Sequence, residues 1–290
     1  MRPEKRHVLI TGTSSGFGFL AAKTLLGDGH TVFATMRDPE GRNAAKAAAL
    51  REAAASGPGA LHVVALDVTD EADVERAIAF ALRTAGHLDV LVNNAGVGCG
   101  SFLEPFTTDQ VRALFDVNMF GVHRTCRAVL PHMRGRGQGL IINLSSAVGR
   151  YVLPFMGPYT ATKFAIEGYS EGLAMELAPT GVEVAIVEPG GYMTELFQNM
   201  MQPGDPERLA SYGELATMPE QMWAPFAEML ATDGPNPQLV ADKIAALVAA
   251  PAGQRPLRSV VDPQTGAFVE ALNAAVAKIQ GDVMKALQGG

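Results

Sequence analysis

Tyr159 and Lys163 stand four residues apart in Tyr159-Thr160-Ala161-Thr162-Lys163, inside a stretch with helical patterning. On a helix that spacing puts both side chains on one face. A free tyrosine titrates near 10 and is a poor base at neutral pH, and lowering it by about three units takes roughly 4 kcal/mol of phenolate stabilisation. A neighbouring ammonium in a partly desolvated pocket supplies such stabilisation, so the pair fits proton transfer to or from a substrate oxygen. Alone it says little: with five tyrosines in the chain, a Tyr-x-x-x-Lys pair arises by chance in about one chain in four. A rival tyrosine, Tyr151, has Phe155 four residues on and reads as pocket wall.

A second group lies near the N-terminus. The apolar run Val8-Leu9-Ile10 leads into Thr11-Gly12-Thr13-Ser14-Ser15-Gly16-Phe17-Gly18 and then into a helical pattern. Between a strand and a helix, glycines let the backbone approach a pyrophosphate, and the helix N-terminus offers free N–H donors to it. An NAD site usually has a carboxylate about 20 residues further on, for the ribose 2′-hydroxyl. Counting from Gly16 reaches Met36, with Arg37 directly after it in Ala34-Thr35-Met36-Arg37-Asp38. A guanidinium suits a 2′-phosphate, which favours NADP (NADPH), with NAD as the alternative if Asp38 turns inward to the ribose.

Both groups need a frame. Strand candidates at 7–11, 31–35, 61–66, 88–93, 139–145, 182–188 and 257–261 alternate with helix candidates near 17–27, 41–55, 70–85, 108–134, 158–177 and 237–250. Runs such as Leu88-Asp89-Val90-Leu91-Val92 lack polar alternation, as expected where helices cover both faces of a parallel sheet. The pattern predicts an α/β fold: one doubly wound domain over 1–290, with a parallel seven-stranded sheet and helices on both faces. Two regions depart from the rhythm. Residues 193–236 lack a clean strand and carry five prolines, six of the thirteen methionines and the only tryptophan. Near 264–288, Phe268, Leu272, Val276, Ile279, Val283 and Leu287 mark one face of a helix. Its charges balance, whereas a membrane-surface helix would be basic, so packing on this subunit or a neighbour is expected.

Bulk composition excludes several classes. Hydrophobic residues make up 48% and charged residues 18%, enough material for a core. A formal charge of -7 argues against a nucleic-acid surface. Two cysteines, Cys99 and Cys126, offer neither a disulfide framework nor a metal-ligand spacing, so no metal is expected. The first apolar stretch is too short for a signal peptide or a membrane span, and the expected location is cytoplasmic.

Together these residues resemble the short-chain dehydrogenase/reductase family, whose members have a single extended Rossmann domain. Specific motifs cover about 7–195: the glycine loop, Asp67-Val68, Asn93-Asn94-Ala95-Gly96, Asn118 in Asp116-Val117-Asn118-Met119, Asn143-Leu144-Ser145-Ser146, the Tyr159/Lys163 motif, and Pro189-Gly190-Gly191-Tyr192-Met193-Thr194. Finding the tyrosine 13 residues after a strand-end serine and downstream of those turns makes the conjunction specific. The resemblance implies Asn118, Ser146, Tyr159 and Lys163 as the catalytic set. Ser146 would hold the substrate oxygen, Lys163 the nicotinamide ribose, and Asn118 a water linking Lys163 to solvent. Ser145 would point to the other side of the strand. It also implies a dinucleotide site made of Gly12, Ser14, Ser15, Gly16, Phe17, Gly18, Arg37, Asp67, Val68, Asn94, Ala95, Gly96, Tyr159, Lys163, Pro189, Gly190, Met193 and Thr194. The segment after Thr194 would close over substrate. Its Met193, Phe197, Met200, Met201, Met218, Met222, Trp223, Phe226 and Met229 suit a bulky hydrophobic carbonyl or alcohol, and equally suit simple packing of the lid. Ala34-Thr35-Met36-Arg37-Asp38 and Leu153-Pro154-Phe155 resemble the hydroxysteroid and retinol dehydrogenase branch. A homo-oligomer is implied too, although no glycine follows the last strand, Leu257 to Asp262, where the usual contact would lie. A non-catalytic dinucleotide sensor on the same fold is the alternative of a different class.

Overall fold

A computed structural model describes residues 4–287 of the 290. Seven strands alternate with helices: β1 (His7–Ile10), α1 (Gly16–Gly27), β2 (Thr31–Met36), α2 (Ala44–Ala55), β3 (Ala60–Ala65), α3 (Glu71–Ala85) and β4 (Val90–Asn93). Then come α4 (Thr108–Phe115), a π-helical turn (Asp116–Phe120), α5 (Gly121–Arg136), β5 (Gly139–Leu144), α6 (Gly157–Leu177) and β6 (Val182–Pro189). Short helices α7 (Glu195–Gln198) and α8 (Pro206–Ala210) precede α9 (Met218–Asp233), α10 (Gln238–Ala249), β7 (Arg258–Val261) and α11 (Gly266–Leu287). All seven strands are parallel, in the order β3-β2-β1-β4-β5-β6-β7.

The unalternating apolar strands follow from two cores, one on each face. Val8 and Ile10 point to one side with Val90, Val92, Leu140 and Ile142, under Ala21, Leu25 and Leu26 of α1 and Val240 and Ile244 of α10. Leu9, Leu91 and Ile141 point to the other, under Val74 and Ile78 of α3, Val129 of α5 and Ile166 and Leu173 of α6. Neighbouring residues thus face opposite helical layers, and neither face of the central strands needs polar side chains. The strand order reverses between β1 and β4, and the loops leaving their carboxyl ends meet in the crevice where such sheets bind ligands.

The long helix expected over 108–134 forms and runs on through a π-helical turn around Asn118, with αR backbone at both junctions. The C-terminal helix forms, but its expected apolar face is left largely exposed on this subunit. Phe268, Ile279 and Leu287 are 76%, 62% and 77% exposed, and only Gly266 and Val269 are buried. The helix is instead held from an adjacent face. Asn273 accepts from Arg150 Nε (2.7 Å) and donates to Glu188 Oε2 (2.6 Å). Glu188 is wholly buried beside Glu167 and Arg258, and burial pushes its carboxyl up to about 7. Gln288, the last residue of the expected helix range, lies outside the described residues. No helix among the described residues is long and apolar enough to cross a membrane.

At the amino ends of β1 and β4, opposite the crevice, histidines are gathered around Asp89. His30 Nδ1 accepts from Arg6 N (3.1 Å) and His132 Nε2 from Leu88 N (3.3 Å), contacts that need an unprotonated ring nitrogen. Burial, with nearby Arg6 for His30 and Arg136 for His132, holds both rings below the usual histidine value; burial and His87 do the same to His7. The unfolded chain therefore binds more protons just below pH 6.5, and by linkage these histidines make stability rise with pH through that window and be lost as pH falls. Glu188, raised to about 7, takes up its proton in the same window and works the other way, so the check is made on the histidine: His30→Gln is expected to raise the melting temperature at pH 5.5 relative to that at 7.5. An unchanged pH dependence in His30→Gln would remove this account. His7, His87 and Asp89 are also close enough to share a metal ion, but Asp89 already accepts from the Arg136 guanidinium at 3.2 Å and from His7 N at 2.8 Å.

Candidate active site

The β1–α1 turn is built for close approach. Gly12 has φ +70°, and a Cβ there would lie 2.8 Å from the Ala95 Cα. A Cβ on Gly18 would collide with the Asn94 amide, which donates to Thr11 O (2.8 Å) and Gly12 O (2.9 Å). Thr11 Oγ1 in turn accepts from the backbone N–H groups of Asn94 (2.9 Å) and Ala95 (3.0 Å). The glycine loop and the Asn-Asn-Ala-Gly turn are therefore one unit, fixed by hydrogen bonds across the switch point. Gly18 serves that packing and does not line the cavity.

A cavity of about 1150 Å³ runs from this unit to α6. Its walls include Gly12, Ser14, Ser15, Gly16, Phe17, Arg37, Asp67, Val68, Asn94, Ala95, Gly96, Ser146, Tyr159, Lys163, Pro189, Gly190 and Thr194 from the sequence-based set. Gly18, Asn118 and Met193 are not among the lining residues. At one end Met36 and Arg37 face the cavity together with Arg42, Asn43 and Lys46, which the sequence reading missed. A signal for them existed: Arg42 and Lys46 flank the start of α2, where cations oppose the helix dipole and a bound anion would offset it. Asp38 is exposed, with φ +46°, and its carboxylate accepts from Gly41 N (3.0 Å) and Arg42 N (2.8 Å). It organises its own turn and is absent from the cavity wall. Burial works against the Asp67 carboxylate, yet the Thr69 N–H and hydroxyl, with Arg37 and Arg42 nearby, hold it below the usual range.

At the other end β5, the turn after it and α6 bring three groups together. Lys163 is buried and donates to Leu144 O at 2.9 Å, with its ammonium 5.6 Å from the centre of the Tyr159 ring. Burial pushes Lys163 down to about 8, opposed by Glu167 one turn along α6. Burial also pushes the Tyr159 hydroxyl up to about 12, with a hydrogen bond to Ser146 pulling the other way. The protein's own groups therefore keep Tyr159 protonated at neutral pH, because the walls that desolvate Lys163 also desolvate the hydroxyl. Ser146 Oγ donates to Pro189 O (3.3 Å) and accepts from Val148 N (3.3 Å). Ser145 also reaches the wall, and its buried hydroxyl has no partner. The Asn118 amide is engaged with the Val97 N–H and carbonyl (both 2.9 Å) and Thr162 Oγ1 (3.0 Å). Its side chain braces the loop after β4 and is 2% exposed.

Most of the remaining wall is apolar, with Glu195, Asn199, Asp262, Gln264 and Thr265 as its polar members. Val148, Tyr151, Leu153 and Met156 come from the turn before α6, and Leu196, Phe197, Met200, Met222, Trp223 and Phe226 from the segment after Thr194. Of the other methionines expected there, Met201 pairs through its backbone with Cys99 and joins the cluster under Tyr159, while Met218 and Met229 are not in the wall. Phe268, from α11, completes the rim.

Comparison with known proteins identifies the family. A family model described as short chain dehydrogenase matches residues 6–204. The chain is 40% identical over 192 residues to 3-ketodihydrosphingosine reductase of Bacteroides thetaiotaomicron, covering 66% of each chain. It is 37% identical over 251 residues to human 17-beta-hydroxysteroid dehydrogenase type 1, covering 84% of this chain and 74% of that one. A solved short-chain dehydrogenase from Streptomyces avermitilis superposes with a TM-score of 0.77 at 32% identity over 99% of both chains, and solved neighbours of the same fold hold NAD or NADP. The chain belongs to the short-chain dehydrogenase family of oxidoreductases.

Proposed function

We propose that this protein is an NADP(H)-dependent oxidoreductase that interconverts a bulky hydrophobic alcohol and its ketone or aldehyde, with Tyr159 as general acid and base. The observation that carries the proposal is the single cavity with two unlike ends: a glycine loop with Met36, Arg37, Arg42 and Lys46 at one, and Tyr159, Ser146 and Lys163 facing apolar walls at the other. The cradle fits a dinucleotide because Gly12 and Gly16, both at positive φ, leave bare backbone along the cavity beside the first N–H groups of α1. The bound dinucleotide would give or take the hydride at the substrate carbon. In the reducing direction Tyr159 Oη delivers a proton to the carbonyl oxygen, which Ser146 orients. Its protonated state at neutral pH suits that role. Lys163, charged below about pH 8, stabilises the tyrosinate that remains. In the oxidising direction the same groups act in reverse and need the tyrosinate first. Asp38, the residue on which an NAD preference would rest, is engaged by Gly41 and Arg42, which supports NADP. Assembly with further copies of the chain belongs to the same reading.

The substrate class follows from the walls. Around Met200, Met222, Trp223 and Phe226 the lid offers no cationic clamp, and Arg208 pairs with Asp205 and Glu104 away from the cavity. A panel of apolar ketones, aldehydes and alcohols, followed by nicotinamide absorbance, should give specificity constants at least about tenfold above those for small hydroxy acids or sugars. That ratio corresponds to roughly 1.4 kcal/mol, the burial of one or two methylenes. A small charged acid as the best substrate would overturn this reading of the lid while leaving the family assignment intact.

A further inference from the structure

One side chain sits on the dinucleotide cradle that its chemistry does not suit. Glu195, the first residue of α7, places Oε2 3.2 Å from the Gly16 N–H and Oε1 3.3 Å from Lys46 Nζ. The Gly16 N–H is the first donor of α1, and Ser15 ahead of it makes no side-chain cap. An anion belongs at that N-terminus, and here the lid itself provides one. Thr194, next to Glu195, lies against the glycine loop, where a Cβ on Gly16 would meet its Cβ at 3.6 Å. Leu196 and Phe197, which follow Glu195, belong to the apolar wall. The carboxylate therefore ties the lid to both the glycine loop and the start of α2.

We propose that Lys46 is a phosphate-binding residue of the dinucleotide cradle and that Glu195 is a latch occupying Lys46 and the Gly16 N–H until the dinucleotide displaces it. The inference rests on reading the cavity as a dinucleotide site. A phosphate and a carboxylate cannot share one N–H donor and one ammonium without close repulsion, so the dinucleotide drives Glu195 off and Lys46 exchanges a carboxylate for a phosphate. The exchange is reversible because both partners are half-exposed, with side chains 48% and 41% accessible, and such ion pairs are weak. The displaced segment carries Leu196 and Phe197, so dinucleotide binding also loosens one wall of the substrate end.

The test is the dissociation constant of NADPH and of NADH, from nicotinamide fluorescence at one ionic strength, for the unaltered protein, Glu195→Gln, Lys46→Met and the double variant. Glu195→Gln is expected to tighten both dinucleotides about three- to tenfold, the scale of one exposed ion pair plus the repulsion removed. The gain should shrink in 0.5 M salt, which screens both terms. Lys46→Met in the Glu195→Gln background is expected to weaken binding severalfold. Unchanged or weaker binding in Glu195→Gln would overturn the latch, and an unchanged constant on adding Lys46→Met to Glu195→Gln would overturn the role of Lys46. Loss of the NADPH-over-NADH preference would count against the cofactor reading alone, because both molecules carry the pyrophosphate. Absence of binding by either would remove the dinucleotide reading and the latch with it. Both side chains are exposed, so unchanged melting temperatures check that the variants fold.

Discussion

Tyr159→Phe is expected to lower kcat by about 10²- to 10⁴-fold, the usual worth of a positioned acid or base, while the dissociation constant of the dinucleotide changes by less than a few-fold. The variant keeps the ring that packs with Cys99, Phe106 and Val148 and loses only the transferable proton. Lys163→Ala should damage both quantities, since the ammonium serves the tyrosinate and, by family resemblance, the nicotinamide ribose. Direction and pH are linked to the same residue. With the hydroxyl pushed up to about 12, tyrosinate is scarce at neutral pH and rises with pH, so oxidation should accelerate from pH 7 to 9. Reduction needs protonated Tyr159 and charged Lys163, and should decline as pH passes about 8. Charge on the bound nicotinamide shifts these limbs but not their signs. A Tyr159→Phe variant with near-normal turnover would assign the proton elsewhere, first to Tyr151, which also lines the cavity and, unlike Tyr192, is not committed to a backbone carbonyl.

The second large effect concerns the cofactor. A charge-assisted contact to phosphate contributes about 1.5–3 kcal/mol, so kcat/KM should favour NADP over NAD by roughly 10- to 100-fold. Arg37→Ala is expected to weaken NADP and barely alter NAD. Arg42, facing the same end, should retain part of the preference, so the single substitution removes less than the whole ratio and Arg37→Ala with Arg42→Ala removes more. Met36→Asp adds a carboxylate where the 2′-phosphate would lie and should move the preference toward NAD. Ionic strength must be held constant, because salt screens contacts of this exposed cluster. If the unaltered protein prefers NAD, Asp38 would have to leave Gly41 and Arg42, and Asp38→Ala would then lower NAD efficiency. In the arrangement described here Asp38→Ala instead loosens the turn that carries Arg42.

The sequence by itself determined the sheet, the order of its elements and the family. Those features are written locally: unalternating apolar runs for strands buried on both faces, glycines where backbone must approach backbone, and a tyrosine and lysine one helical turn apart. Many of the residues named from sequence also line the cavity, because they lie at the carboxyl ends of strands, which a parallel sheet gathers at one edge. Tertiary structure decided the rest, and in each case the deciding partner is distant in the chain. Asn118 could not be read as a brace because its partners are Val97 and Thr162. The exposure of α11 depends on Arg150 and Glu188 holding Asn273, which turns the expected apolar face away from the body. The proton affinity of Tyr159 depends on burial, which periodicity does not reveal, and the walls that bury it also bury Lys163. Glu195 and Lys46 are 149 residues apart, and only the folded chain sets a lid carboxylate on the N–H and the ammonium that a dinucleotide would need.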